Sequence, residues 1–425
     1  MSTDQPTTRS RVPPVFESLA YLYGPAEPSQ RALVVEASDR WELPPHPGDS
    51  VDVVLWGRHA RNVRPSAAGI AFAVRREWAL ARLRARPPRG LHLAELHRLV
   101  PVSRPGRLRR PIRTVLLGGA LAELVRGDRP VRVIDAVAVA AGAPSISRGL
   151  RPSGDGSALA RLDLDATTQA ELRVARVGHT KDPARGRAAL LALAAADVPL
   201  VPKPMGGGIT AGAAWATESV MAGEHVDALT SALLDQIVRF LAGLPAGPQD
   251  RRAVDDQLAD VAVVFPEHAG ALEGVAAMAA RWAAATSPVL VHGDMWLNNV
   301  FVTGGRLSAV FDWDTWHPAG LPGTDLLNLL AAEARTRQRR DVGDLLVGDY
   351  WRSPEVVDAL RVYTDARGIP FPDGAGLAAI AIGWWAGRIA GSLHRAHRSI
   401  DDPHWVARNV SAPLRRLERL ERQLG

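Results

Sequence analysis

Three oxygen-bearing side chains lie close together in the chain: Asp294, Asn299 and Asp312. Asp294 closes the triplet His292-Gly293-Asp294 after an apolar run at 289–291, Asn299 follows shortly, and Asp312 sits in Phe311-Asp312-Trp313-Asp314. One carboxylate can receive the proton of an attacking hydroxyl. An amide oxygen and a second carboxylate suit Mg²⁺, a hard cation that takes one or two carboxylates and fills its remaining positions with water and substrate phosphate. Phosphoryl transfer asks for that set, because it needs positioning and charge from the protein and little covalent chemistry. On this reading Asp294 is the candidate base, and Asn299 and Asp312 are the candidate metal ligands.

The intervening residues supply a way to bring them together. Residues 300–302 and 307–311 are short apolar runs on either side of Thr303-Gly304-Gly305-Arg306, which reads as a hairpin with a Gly-rich turn. A hairpin returns Asp312 to the end at which Asn299 began.

His292-Gly293-Asp294, four residues, Asn299, and then an apolar-Asp-Trp triplet resemble the catalytic signature of the aminoglycoside phosphotransferase and choline kinase group, small-molecule relatives of the protein kinases. The resemblance implies that Asp294 is the catalytic base, that His292 supports its loop, that Asn299 and Asp312 hold Mg²⁺, and that Asp325 is a structural acid. It also implies ATP as phosphoryl donor, a small hydroxylated molecule as acceptor, and an α+β, bilobal protein-kinase-like fold. The β-rich small lobe is then 146–222 and the helical large lobe 223–425.

Within the small lobe, 146–150, 158–164 and 171–177 read as strands. Gly154 and Gly156 in the first connection leave room for backbone N–H groups to approach phosphate. Arg173 matches the cation that contacts the α- and β-phosphates; Arg176 has the opposite strand parity and Lys181 lies past the strand. The resemblance makes Glu218, Ser219, Val220 and Met221 the connector that hydrogen-bonds adenine, while Met205-Gly206-Gly207-Gly208 reads as a turn. The helix opened by Asp182-Pro183 holds no Glu to pair with Arg173, a departure from the family pattern. A catalytically inactive nucleotide-binding protein is therefore one alternative.

After 228 the apolar spacing becomes helical, with candidates at 255–264, 270–285, 325–336, 354–367, 376–397 and 406–424. Trp384 and Trp385 read as core. His394 and His397 share a helix face without a third ligand to make a metal site.

The chain is 425 residues long and has no Cys, which excludes disulfides and thiolate metal sites. Its net charge of +6 is mostly Arg, scattered among alanines and not gathered with aromatics into a stripe, so nucleic acid is not the expected partner. The denser basic runs, 75–89 and 104–113, read as solvated faces. No apolar run is long enough to span a bilayer, and the start lacks a signal-peptide core, so a cytoplasmic protein is expected; the oligomeric state has no signature. Residues 1–29 read as a disordered tail and 30–142 as a small α/β domain, with strands at 31–37 and 51–56, a helix-like stretch at 75–85, and a loop at 142–145. Glu36 ends a strand where a ribose-binding acid could sit, but the glycine fingerprint of a dinucleotide site is absent. A bifunctional enzyme with a methyltransferase-like first domain is the other alternative.

Overall fold

The computed structural model describes four strands near the start and residues 133–143, 146–152, 157–177, 182–248, 253–284, 286–395 and 402–424. The tail 1–29, the basic run 104–113, Gly154, Gly156, Lys181 and His397 lie outside the described residues. The chain divides into two compact units, one of residues 1–184 and 205–219, the other of 185–204 and 220–425.

Four strands open the first unit: β1 (Leu33–Glu36), β2 (Val51–Trp56), β3 (Gly69–Arg75) and β4 (Trp78–Leu83), in the sheet order β1-β2-β4-β3 with β1 parallel to β2. The stretch at 75–85, expected as helix, supplies β4. Its Ala, Leu and Arg are good helix formers, but propensity is worth less than about 1 kcal/mol per residue, and as a strand the segment gains ladders on both sides, Leu55 opposite Ala79 and Phe72 opposite Leu80.

A five-stranded sheet follows, from β5 (Ile146–Pro152), β6 (Ala158–Asp163), β7 (Gln169–Arg176), β8 (Pro204–Thr210) and β9 (Ala213–Ser219), in the order β5-β6-β7-β9-β8. The period of two separates its faces. Ala158, Ala160, Leu162, Ala170, Leu172 and Val174 are buried, and the same unit holds α1 (Val133–Ala140), whose Val133, Ile134, Val137 and Ala138 are buried and which packs against β9. Asp165 turns β6 into β7 by accepting the N–H groups of Thr167 (2.8 Å) and Thr168 (2.7 Å), bonds that pull its carboxyl down to about 2. The expected turn at 205–208 is instead part of strand β8. Side chains at Gly206 and Gly208 would press on Thr217 and Trp215, so these glycines make room for the Trp215 ring.

The second unit is helical around two short ladders. It contains α2 (Pro183–Ala195) from Arg185 onward, α3 (Ser231–Ala242), α4 (Ala253–Val264) and α5 (Ala269–Trp282). The strands β10 (Val289–Val291), β11 (Val300–Thr303), β12 (Arg306–Val310) and β13 (His317–Gly320) come next. Then follow α6 (Thr324–Gln338), α7 (Val342–Val347), α8 (Pro354–Arg367), α9 (Gly374–Arg395), α10 (Pro403–Val406) and α11 (Ala412–Leu424), with a π-helical turn at Ala407–Ser411. One apolar core runs from Leu190 and Leu193 of α2 through Ile237, Leu258 and Leu326 to Leu417. Trp384 and Trp385 belong to it, as expected, and the Trp385 indole donates to the Asn409 carbonyl at 2.8 Å.

Candidate active site

The loop that carries Asp294 leaves a fully apolar, buried strand, β10, which pairs antiparallel with β13. A buried loop needs partners for its main-chain N–H groups, and here one carboxylate supplies two. Asp325, in the first turn of α6, accepts from the N–H of His292 at 2.6 Å and of Gly293 at 2.9 Å. Burial pushes the Asp325 carboxyl above its usual value, against the downward pull of the two N–H donors. Gly293 has φ +79° and approaches so closely that an added Cβ would lie 2.3 Å from the Thr315 carbonyl oxygen, which excludes other residues. The Thr315 hydroxyl donates to the carbonyl of His292 at 3.1 Å.

His292 is completely buried and ties the loop to the strand end bearing Asp312. Its Nδ1 accepts from the Asp294 N–H at 3.2 Å, and its Nε2 lies 2.9 Å from the Phe311 carbonyl, a pair of bonds that calls for the proton on Nε2. Its ring centroid is 4.5 Å from that of Trp313. Met295, the next loop residue, is held by Asn328, whose amide donates to its carbonyl at 3.0 Å.

The hairpin is as the sequence suggests. In β11 and β12, Val300 stands opposite Val310, and the turn residues Gly304 and Gly305 are both left-handed, at φ +57° and +77°, as a tight two-residue hairpin turn demands. The ladder extends one step further, with the Phe311 N–H donating to the Asn299 carbonyl at 3.1 Å, so Asn299 and Asp312 lie at one end. The Asn299 amide nitrogen donates to the Asp294 carbonyl at 2.8 Å, which commits its NH₂ to the loop and makes the amide oxygen the atom that could take a cation. Asp312 has φ +69° and ψ +56°, a left-handed conformation uncommon for a residue with a side chain and enriched at functional sites. Among the described residues no cluster of three or more His, Cys, Asp or Glu is suited to hold a metal alone. One amide oxygen and one carboxylate fit Mg²⁺, which completes its shell with water and phosphate.

Two residues that sequence reasoning passed over are part of this picture. The first is Arg388 of α9, whose Nη1 donates to Oδ1 of Asp294 as an ion pair with both side chains largely buried. Nothing near Asp294 in the sequence announces it. The second is Arg185 at the start of α2, which donates to the Trp316 carbonyl at 3.0 Å. The neighbouring Gly186 lies so near Asp314 that a Cβ there would be 2.6 Å from its Oδ1. In the second unit this helix start therefore rests on the segment just after Asp312.

In the first unit, Arg173 stands on β7 opposite Ala216 of β9, and Glu171 stands opposite Glu218. Antiparallel pairing puts all four on one face. The Arg173 Nε lies 3.6 Å from the Glu218 carboxylate, and the Arg161 guanidinium lies 3.7 Å from Glu171. The acid that faces Arg173 here stands on the neighbouring strand. Glu218 and Ser219 end β9, and Val220 and Met221 follow it. The strand parity of 218 relative to 216 was the available signal for the pair.

Residues 151–369, just over half of the chain, match the phosphotransferase enzyme family. Among solved structures, an aminoglycoside phosphotransferase from Streptomyces rimosus is similar at 17% identity, over 53% of this chain and 88% of its own, with a TM-score of 0.39. A protein described as a putative fructosamine-3-kinase from Haemophilus somnus is similar at 12% identity, over 63% and 90%, with a TM-score of 0.42. An aminoglycoside phosphotransferase from Alicyclobacillus acidocaldarius is similar at 14% identity, over 70% and 98%, with a TM-score of 0.39. No curated protein matches the chain. No helix among the described residues is long and apolar enough to cross a membrane.

Proposed function

The chain belongs to the phosphotransferase enzyme family, and from that premise we propose that it transfers the γ-phosphoryl group of ATP to a hydroxyl of a small, sugar-like metabolite. It is a small-molecule kinase on an α+β kinase-like fold, with an antiparallel sheet preceding a helical region. The observation that carries the finer reading is the joining of the Asp294 loop to the ends of β11 and β12, through His292 to Phe311 and through Asn299 to Asp294.

In the proposed mechanism Asp294 accepts a hydrogen bond from the acceptor hydroxyl and receives its proton as the oxygen attacks the γ-phosphorus. Asn299 and Asp312 would hold Mg²⁺, which when bound would supply positive charge to the donor phosphates. Asp325 and His292 fix the loop so that Asp294 pays no reorientation entropy when the acceptor arrives. Arg173, aligned by Glu218, is the cation for the α- and β-phosphates, with a planar fork where a Lys would present a point charge. In this reading Glu218 takes the place of the helix Glu of the family pattern, which supports an active kinase over an inactive nucleotide-binding protein.

A structure of the Streptomyces rimosus enzyme holds ADP and streptomycin. For this chain we infer a neutral or anionic acceptor, on the excess of basic over acidic residues and the cation paired with the proposed base. The test is ADP release from ATP across sugars, sugar acids, amino alcohols and aminoglycosides, with Asp294→Ala as the control. Turnover by the wild type should fall by about 10²–10⁴ in the variant, the usual worth of a positioned base, while Mg·ADP still binds. Equal turnover by the two proteins would sink the mechanism.

A further inference from the structure

The loop His292-Gly293-Asp294-Met295-Trp296-Leu297-Asn298-Asn299 carries the proposed base but contains no Lys or Arg. The transferred phosphoryl group passes through a loose transition state with negative charge spread over its equatorial oxygens. A site that speeds this step places fixed positive charge there. The structure puts a guanidinium against the base itself, Arg388 Nη1 on Asp294 Oδ1, with side chains only 17% and 12% exposed. Arg388 comes from α9, far along the chain, which packs against α4. A Cβ at Gly387 would already be 3.1 Å from the Gln257 side chain of α4, and one at Gly383 would be 3.6 Å from the Thr324 hydroxyl.

As a stability device this pair is a poor investment, since desolvating two charges offsets much of their attraction. Its geometry has a chemical use. An acceptor oxygen hydrogen-bonded to Asp294 lies about 2.7 Å from the carboxylate. A guanidinium bonded to the same carboxylate is then within about 6 Å of that oxygen, by the sum of two such bonds and the width of the carboxylate. The flexible stem and forked donors of Arg can cover that interval and meet phosphate oxygens in pairs.

We propose that Arg388 is a further catalytic residue, which orients Asp294 before reaction and bears on the equatorial oxygens of the phosphoryl group during transfer. The inference rests on the phosphotransferase reading above, with Asp294 as the base. The bond from acceptor oxygen to γ-phosphorus forms, the bond from γ-phosphorus to the β–γ bridging oxygen breaks, and the acceptor proton goes to Asp294. ADP leaves with the bridging electron pair. Arg388 exchanges no proton; it contributes charge and hydrogen bonds.

Because the test needs no acceptor, it can be run on the full chain with defined probes. Calorimetric titration measures the affinity for Mg·ADP alone and for Mg·ADP with aluminium fluoride, which mimics the phosphoryl group in transfer. The proteins are the wild type, Arg388→Ala, Arg388→Lys, Asp294→Asn and the double variant Asp294→Asn/Arg388→Ala. The wild type should bind the fluoride complex more tightly than Mg·ADP, and Arg388→Ala should lose about 10²-fold of the fluoride-complex affinity, the usual effect of one transition-state donor, with Mg·ADP affinity changed less than about twofold. Arg388→Lys should recover part of the loss and serves also if the alanine variant does not fold. In the Asp294→Asn background, removing Arg388 should still weaken the fluoride complex by at least about tenfold. No further loss in that background would reduce Arg388 to a positioning residue and overturn its contact with the phosphoryl group. Equal affinity of wild type and Arg388 variants for the fluoride complex overturns the inference while leaving the phosphotransferase reading intact. A wild type that binds no Mg·ADP overturns both.

Discussion

The loop at 292–299 and the charged face of the five-stranded sheet organise their functional side chains in opposite ways. The loop is held by main-chain bonds, with Asp325 on two N–H groups, Asn328 on Met295 and Asn299 on Asp294, most of them between buried partners. The sheet face instead holds Arg173 by strand register and by charge across a 3.6 Å gap to Glu218. A buried hydrogen-bond set has one geometry and fails abruptly when a member is removed, whereas a charge pair across a 3.6 Å gap is less directional, although its burial makes loss of one partner costly. The difference predicts that damage to the loop will unfold or inactivate, and damage to the sheet face will shift affinity.

The largest effect should come from Asp325→Ala, which strands the N–H groups of His292 and Gly293 in a buried site. At about 1–3 kcal/mol for each unsatisfied group, the loss should be about 3 kcal/mol or more, read as a lower urea midpoint at constant slope. A loss under about 1 kcal/mol would show that the loop does not depend on that carboxylate. Next, Gly293→Ala should cost about 2 kcal/mol by forcing a Cβ into a positive-φ position against the Thr315 carbonyl, and activity should fall with it. An alanine variant of full stability and activity would refute the argument from close approach.

Glu218→Gln tests the other side of the comparison. It should weaken ATP binding by about tenfold, equivalent to about 1.4 kcal/mol, by releasing Arg173 from its alignment, with a smaller drop in melting temperature from leaving the largely buried guanidinium without this carboxylate. A large loss of stability and unchanged nucleotide affinity would make the pair structural and invert the contrast.

The smallest effect is expected where neither kind of site is touched. Arg408 clamps Asp344 through Nε at 2.8 Å and Nη2 at 2.5 Å, and this hydrogen bonding is the main cause that holds the Asp344 carboxyl below its ordinary value of 3.8. A carboxylate with a lowered folded value stabilises the fold above its ordinary value and loses that contribution as pH falls through the lowered one. Asp344→Asn should therefore cost no more than about 1 kcal/mol at neutral pH, since the pair is partly exposed and screened. The gap between variant and wild type should close below about pH 3.8, measured by denaturation across that range.

Much of the loop was legible in the chain because its parts are local. The hairpin fixes Asn299 beside Asp312 through a turn of two glycines, and strand alternation assigns Arg173 and Glu218 to a shared face once β7 and β9 are known to be neighbours. Legibility failed where pairing partners decide conformation. The segment 75–85 has the composition of a helix and becomes β4 between two strands. The glycines at 206–208 look like a turn and form an edge strand beside Trp215. The carboxylate that faces Arg173 stands on the adjacent strand, not on the helix to which the family resemblance points.

The sequence by itself determined the pattern from which the chemistry is proposed: an acid before an Asn and a second acid, and a hairpin to join them. These are properties of residue type and short spacing, which local backbone geometry converts directly into position. Only the tertiary structure decided that Arg388 of α9 rests on Asp294 and that Glu218 faces Arg173. Both contacts join residues distant in sequence, through the packing of α9 in the helical core and through a strand order that no local pattern encodes.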